Sequence, residues 1–247
     1  MFLPKTISIL VIGLFTGCFL FTPSSCNGDI NSRIDMDRFV MRAINRFGPS
    51  EKDLRPPAEN ATLVTVNAFI RNILFIDEKS HQWKLQLTFR QEWNDPRLRY
   101  SIESYPSYRY LTLASTKDIW TPDLFFTSEI EATYHQVPQN NVLLRIYPNG
   151  NVLYTSRLTL TLSCPGTLSV PGELWCSIGV ASYAYPVDDL VVRWKKDNAV
   201  QIDKKIVLDD HTVGKVTTGT TEAITVAGKF SDAVAQFHFL RKSCKVL

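Results

Sequence analysis

The sequence predicts an all-β domain, a β-sandwich headed by one α-helix. Three observations predict it. Beyond Pro57, apolar residues recur with period two in one run after another. Clusters of Pro, Gly, Asn and Asp separate those runs. Helical spacing of apolar residues is prominent only near the start, ahead of Gly48-Pro49. Half-buried strands with regular turns and a single leading helix pack as two facing sheets. No shift in composition marks an internal boundary, so residues 27–247 read as one domain.

The first segment, 1–26, reads as a secretory signal. Lys5 is its only charge, Ile7 to Phe21 is largely apolar, and Ser24-Ser25-Cys26 gives a small-x-small cleavage pattern. A membrane anchor is the rival reading, but the apolar run is roughly 15 residues against the ~20 that a span needs. Leu158–Val187 carries Pro165, Pro171, Pro186 and Glu173, which no uninterrupted spanning helix accommodates. The expectation is a secreted chain with no span after cleavage.

Ile34, Met36, Phe39, Val40, Ile44 and Phe47 fall mostly at helical spacing and predict a short amphipathic helix. Arg38, Arg42 and Arg46 lie one turn apart and read as a solvated face. Asn60-Ala61-Thr62 is a glycosylation acceptor on an expected surface turn. Val64, Val66, Ala68 and Ile70 then alternate with polar or outward residues, as do Leu85, Leu87 and Phe89. Pro148-Asn149-Gly150-Asn151 predicts a hairpin turn between strands over Val142–Tyr147 and Val152–Leu162. Ala235, Phe237 and Phe239 mark a last strand.

Secretion favours disulfides, and Cys164 with Cys176 is the close pair. Cys244 is left over, either as a buried or free thiol or as an intermolecular bridge.

Charge excludes some functions. Lys+Arg number 27 and Asp+Glu 24, giving a net charge of +3, so no broadly basic surface offers itself to nucleic acid. The 4 His are isolated and lack metal-ligand spacing with Cys, Asp or Glu. No nucleophile elbow, phosphate loop or dinucleotide fingerprint appears. Asp188-Asp189 and Asp209-Asp210 sit on expected turns, and adjacent strand residues point oppositely, so neither doublet is a natural catalytic dyad. The expectation is a binding protein with no catalysis, metal or cofactor.

Parity gives the positive signal. Arg71, Thr88, Arg90 and Thr155 all fall on the non-core side of their strands. They are either solvent-exposed side chains or an anion clamp, since a guanidinium presents a fork that matches a carboxylate. Parity alone does not make their strands neighbours.

Several motifs occur in a fixed order: Trp93-Asn94-Asp95-Pro96-Arg97-Leu98, Ile119-Trp120-Thr121-Pro122-Asp123-Leu124-Phe125-Phe126, Asn149-Gly150-Asn151-Val152-Leu153-Tyr154, Cys164-Pro165 with Cys176, Ala181-Ser182-Tyr183-Ala184-Tyr185, and Phe237-His238. In this order, from about Arg33 to Arg241, they resemble the extracellular domain of a Cys-loop receptor, on the anion-channel branch of glutamate-gated chloride channels and glycine receptors. The resemblance implies a twisted, immunoglobulin-like sandwich capped by the helix, five subunits in a ring (here a homopentamer), and a small amino-acid-like ligand between neighbours. It assigns Arg71, Arg90 and Thr155 to one face of that site, and Phe125, Ser182, Tyr183 and Phe230 to the other. Aromatic rings there would hold an ammonium by cation–π attraction. Core packing is the alternative for Phe125. Thr88 stands where glycine receptors carry Phe, which favours glutamate.

The chain also departs from the family. The loop between Cys164 and Cys176 holds 11 residues against the family's 13, and its tip reads Val170-Pro171-Gly172-Glu173 in place of an apolar sequence that presses on the membrane domain. The channel portion would begin just past Arg241, and the sequence ends at Leu247. Together these imply a soluble binding domain without a pore. A truncated subunit that assembles with full-length ones, or a structural ring with a non-functional pocket, remain as alternatives. A second cysteine pair expected in loop C is replaced by Thr221 and Asp232; Thr225 and Ala227 replace a tyrosine and a threonine. Asp232 adds negative charge near a pocket meant for an anion.

Overall fold

The structure is a computed structural model that describes residues 27–45, 51–103, 105–116, 118–164 and 172–242, with side chains from Arg33 onward. The 1–26 segment, Arg46, Phe47, Gly48-Pro49, the 165–171 stretch of the Cys loop and Cys244 lie outside the described residues.

Helix α1 spans Asn27–Ile44. It starts earlier than the apolar spacing indicates, because Asn27-Gly28-Asp29-Ile30-Asn31-Ser32-Arg33 holds a single apolar residue and leaves that pattern blank. Met36, Val40 and Ile44, four residues apart, are buried. Ile34 and Phe39 are exposed, at 42% and 50%, so the buried stripe is narrower than predicted. Arg38 and Arg42 are solvated, and Arg38 pairs with Asp35 at 3.2 Å. Tyr108 donates to Asp37 at 2.5 Å and ties the helix to the sandwich. Burial and that hydrogen bond push the Tyr108 hydroxyl well above the usual phenol range.

Among the described residues twelve strands follow: β1 Thr62–Asp77, β2 Gln82–Asn94, β3 Leu111–Leu113, β4 Leu124–Phe126, β5 Glu129–Tyr134, β6 Val142–Ile146, β7 Asn151–Ser163, β8 Glu173–Ser182, β9 Leu190–Trp194, β10 Val200–Ile202, β11 His211–Thr225 and β12 Gly228–Arg241. The first sheet runs β10-β1-β2-β7-β6-β3, with β9 also on β1 and β5 also on β7. The second runs β11-β12-β8-β4. The alternating residues read from the sequence form the shared core: Val64, Val66, Ala68, Ile70, Leu85, Leu87, Phe89, Leu158, Leu160, Leu162, Ala235, Phe237 and Phe239 are all buried. Trp83 joins them, its ring 5.1 Å from Phe237 and 5.7 Å from Phe239. Tyr154 is only half-buried.

The ordered motifs turn out to be joints. Asp95 caps the 3-10 turn Pro96–Leu98 by accepting from the Arg97 amide at 3.1 Å. Its buried carboxylate also takes the Arg97 guanidinium at 2.8 Å, which reaches on to the Glu51 carbonyl at 2.8 Å and the Leu54 carbonyl at 3.1 Å. The hairpin turn falls as predicted, with β6 ending one residue earlier, at Ile146. Gly150 has φ +81°, and a Cβ there would meet the Asp95 carbonyl at 2.5 Å, so only glycine fits. Cys164 and Cys176 form a disulfide that joins the end of β7 in one sheet to β8 in the other. On the chain-entropy account, closing a loop of that length stabilises by about 3 kcal/mol. Asn60 is exposed in the turn before β1.

Candidate functional site

The polar face of the first sheet assembles the cationic half. Arg90 on β2 lies opposite Asn67 on β1 and opposite Thr155 on β7. One step along, Thr88 lies opposite Phe69 and opposite Arg157. Arg71 is the extra residue of a bulge between Ile70 and Asn72. The bulge frees it from regular pairing and re-aims its side chain. Arg71 Nε donates to Thr88 Oγ1 at 3.1 Å, and its guanidinium carbon stands 5.5 Å from the Phe69 ring centre. Arg90 Nη1 donates to Asn67 Oδ1 at 2.6 Å. Asn67 is itself fixed by donating to the Asn198 carbonyl and, at 3.1 Å, to that of Ala199. The Thr155 hydroxyl is buried with no hydrogen-bond partner. Arg71, Thr88, Arg90 and Thr155 therefore occupy adjacent strands on one face.

Sequence reasoning missed Arg157. It has the parity that selects Thr155, two residues further along β7, so the signal was present. Its Nη1 donates to Asn141 Oδ1 at 3.2 Å, while its Nε is buried and unpartnered. His135 sits beside it, 2.7 Å from Thr159 Oγ1. Burial first, then the charges of Arg157 and Arg71, hold His135 below its ordinary value.

The aromatic half lies on the outward face of the second sheet. Phe126 takes the core position, 5.1 Å from Phe89, and Phe125 turns outward. Phe125 is half-buried and lies outside the core. Its ring meets Tyr183 edge-on at 5.9 Å, and Tyr183 is 79% exposed. Phe230, on β12, pairs across with Ala223 on β11 and is half-buried.

Ser182 needs a correction. It was expected to offer its hydroxyl to a ligand, but it is 2% exposed. Its hydroxyl donates to Asp123 Oδ1 at 2.6 Å and accepts from the Tyr185 amide at 2.9 Å. Asp123 also accepts from the Ala184 amide at 2.6 Å. Ser182 and Asp123 thus hold the Tyr183 loop in shape. Sequence cannot reveal this, because the partner sits 59 residues away.

Thr221 and Asp232, in place of the expected cysteines, are directly opposed on β11 and β12. Loop C keeps the cross-strand geometry without the staple. Its tip exposes Ile224 at 75% and Val226 completely. A cleft of about 470 Å³ lined by Ile119, Trp120, Asp123 and Tyr185, among others, lies behind the Tyr183 loop and includes none of the predicted site residues. Among the described residues, no group of three or more His, Cys, Asp or Glu converges as a metal site. No described helix is long and apolar enough to cross a membrane.

The two sets lie on the outer faces of different sheets. The cationic set projects from the first sheet away from the core, and the aromatic set from the second sheet away from the same core. The chain is 33% identical over 241 residues to a glutamate-gated chloride channel of Drosophila melanogaster, an alignment covering 93% of this chain and 53% of that protein. The chain thus spans about half the length of that relative. Residues 44–243 match the neurotransmitter-gated ion-channel ligand binding domain. With its joints, sheets and disulfide in the order described, the chain belongs to the neurotransmitter-gated ion-channel ligand-binding domain family.

Proposed function

We propose that this domain binds a small amino-acid-like carboxylate between two copies of itself, in a secreted homopentamer that works without a pore. One copy supplies Arg71, Arg90, Thr155 and Arg157. The next supplies Phe125, Tyr183 and Phe230. Guanidiniums take the ligand carboxylate, and the rings take its ammonium. No bond is made or broken.

The observation that carries the reading is the Arg90–Thr155 register, with Arg71 and Arg157 one step along and the Thr155 hydroxyl left without a partner. A buried, unpartnered hydroxyl beside a guanidinium is costly unless something else completes it. The relative's name makes glutamate the first ligand to try. The altered Cys-loop tip supports working without a pore, because a loop with no membrane domain to press on needs no apolar tip.

Calorimetry with glutamate, alongside light scattering of the secreted protein, tests both parts. A pentamer that binds, and an Arg90→Ala pentamer weakened by about 2–5 kcal/mol, is expected for a desolvated charged contact. Equal heats from the two proteins contradict the clamp. A well-formed pentamer that takes up nothing favours a structural ring, the reading that the unstapled loop C supports. A monomer or aggregate favours a subunit that assembles only with longer partners.

A further inference from the structure

We propose that Asp232 accepts the cationic end of the ligand, so that the site selects zwitterions over plain carboxylates. This rests on the reading above and deepens it.

Strand β12 fixes the direction of Asp232. Ser231, Ala233 and Ala235 are buried in the core, so Asp232 projects outward on the same face as Phe230. Register then places it on the same sheet face as the rings. Asp232 lies opposite Ala181 on β8, and Ala181 lies opposite Phe125 on β4. Tyr183 follows Ala181 by two residues and touches Phe125. The carboxylate lies over Gly179, where a Cβ would stand 2.9 Å from Asp232 Oδ1 and 2.1 Å from Thr127 Oγ1, so the Thr127 hydroxyl is its polar neighbour and Ala181 adds only a methyl group.

The carboxylate is left unneutralised. Among the described residues, no ion pair reaches it. Asp232 Oδ1 is buried without a hydrogen-bond partner. Burial raises its pKa above the ordinary aspartate value, offset in part by the Val180 backbone and the Thr127 hydroxyl. A half-buried carboxylate with no cation beside it lowers the stability of the free protein. Rings attract an ammonium through their faces but cannot neutralise it; a carboxylate one strand away does both. The negative charge that looked adverse to an anion therefore belongs to the half facing the opposite pole, while the arginines of the adjoining copy take the carboxylates.

Glutamate and glutarate carry the same two carboxylates and differ by the amine. Calorimetry of both against wild type and Asp232→Asn separates the roles. Wild type should prefer glutamate by roughly tenfold or more, the scale of one charge-assisted contact. In Asp232→Asn that preference should collapse through weaker glutamate binding, with glutarate bound at least as well as before. The ligand-free variant should melt no lower than wild type at neutral pH, since it loses an uncompensated charge. An unchanged preference, equal weakening of both ligands, or a variant that melts well below wild type overturns the inference and leaves the clamp standing. Wild type that binds neither ligand overturns the clamp and this inference together.

Discussion

Arg71 departs from regular pairing at a bulge, and that departure carries part of the proposed site. Its side chain reaches Thr88 and stands within the field that His135 feels. Arg71→Lys keeps the charge but loses the planar fork, so glutamate affinity should fall by tenfold or more. His135 gives a prediction about pH. Its native pKa lies below the unfolded value of about 6.5, so below that pH the unfolded chain binds the extra proton first. Stability is therefore complete above about pH 6.5 and declines as pH falls through the native pKa. Urea unfolding at pH 5 and pH 7 should show this loss, and His135→Gln should show less of it. Ser182→Ala tests the corrected role: removing the hydroxyl takes one hydrogen bond from the half-buried Asp123 carboxylate and leaves the Tyr185 amide without its acceptor, which should destabilise the domain by about 1–3 kcal/mol in urea. A Ser182→Ala protein of wild-type stability would restore a direct ligand role for the hydroxyl.

Among the elements, strand alternation was legible because each strand has one buried face, and a period of two records it directly. Leu85, Leu87 and Phe89 needed nothing more. The start of α1 was not legible, since its first turns carry almost no apolar signal. The partners of β1 were hidden for another reason: β9 and β10 pair with it in parallel from more than a hundred residues away, and no local pattern encodes that crossover. The direction of Asp232 follows from the alternation of β12, but its neighbours emerge only once β12 is registered against β8. Arg157 was readable from parity and was simply passed over. The hairpin turn was readable from Asn149-Gly150, but the contact that enforces it, the Asp95 carbonyl, was not. Gly150→Ala should destabilise by about 1–3 kcal/mol, through both the positive φ and the 2.5 Å approach. A melting temperature equal to that of wild type would show that the turn relaxes freely.

At the scale of the whole molecule, sheet order decides what a single chain can do. Core residues of both sheets face inward, and the two candidate sets are left on the outer faces of different sheets. A site needing both must be shared, which is how a ring with heterologous contacts uses one surface of each subunit against a different surface of the next. Complementation tests this directly. Arg90→Ala damages only the cationic face, and Tyr183→Ala only the aromatic one. Each homomeric variant should bind glutamate far more weakly than wild type. When the two are co-secreted, interfaces that join an intact Tyr183 to an intact Arg90 arise by random assembly in about one quarter of positions. Calorimetry of the mixed assembly should return that fraction of sites at wild-type affinity. Mixed assemblies that recover nothing, although they form and wild type binds, would contradict a site shared between copies.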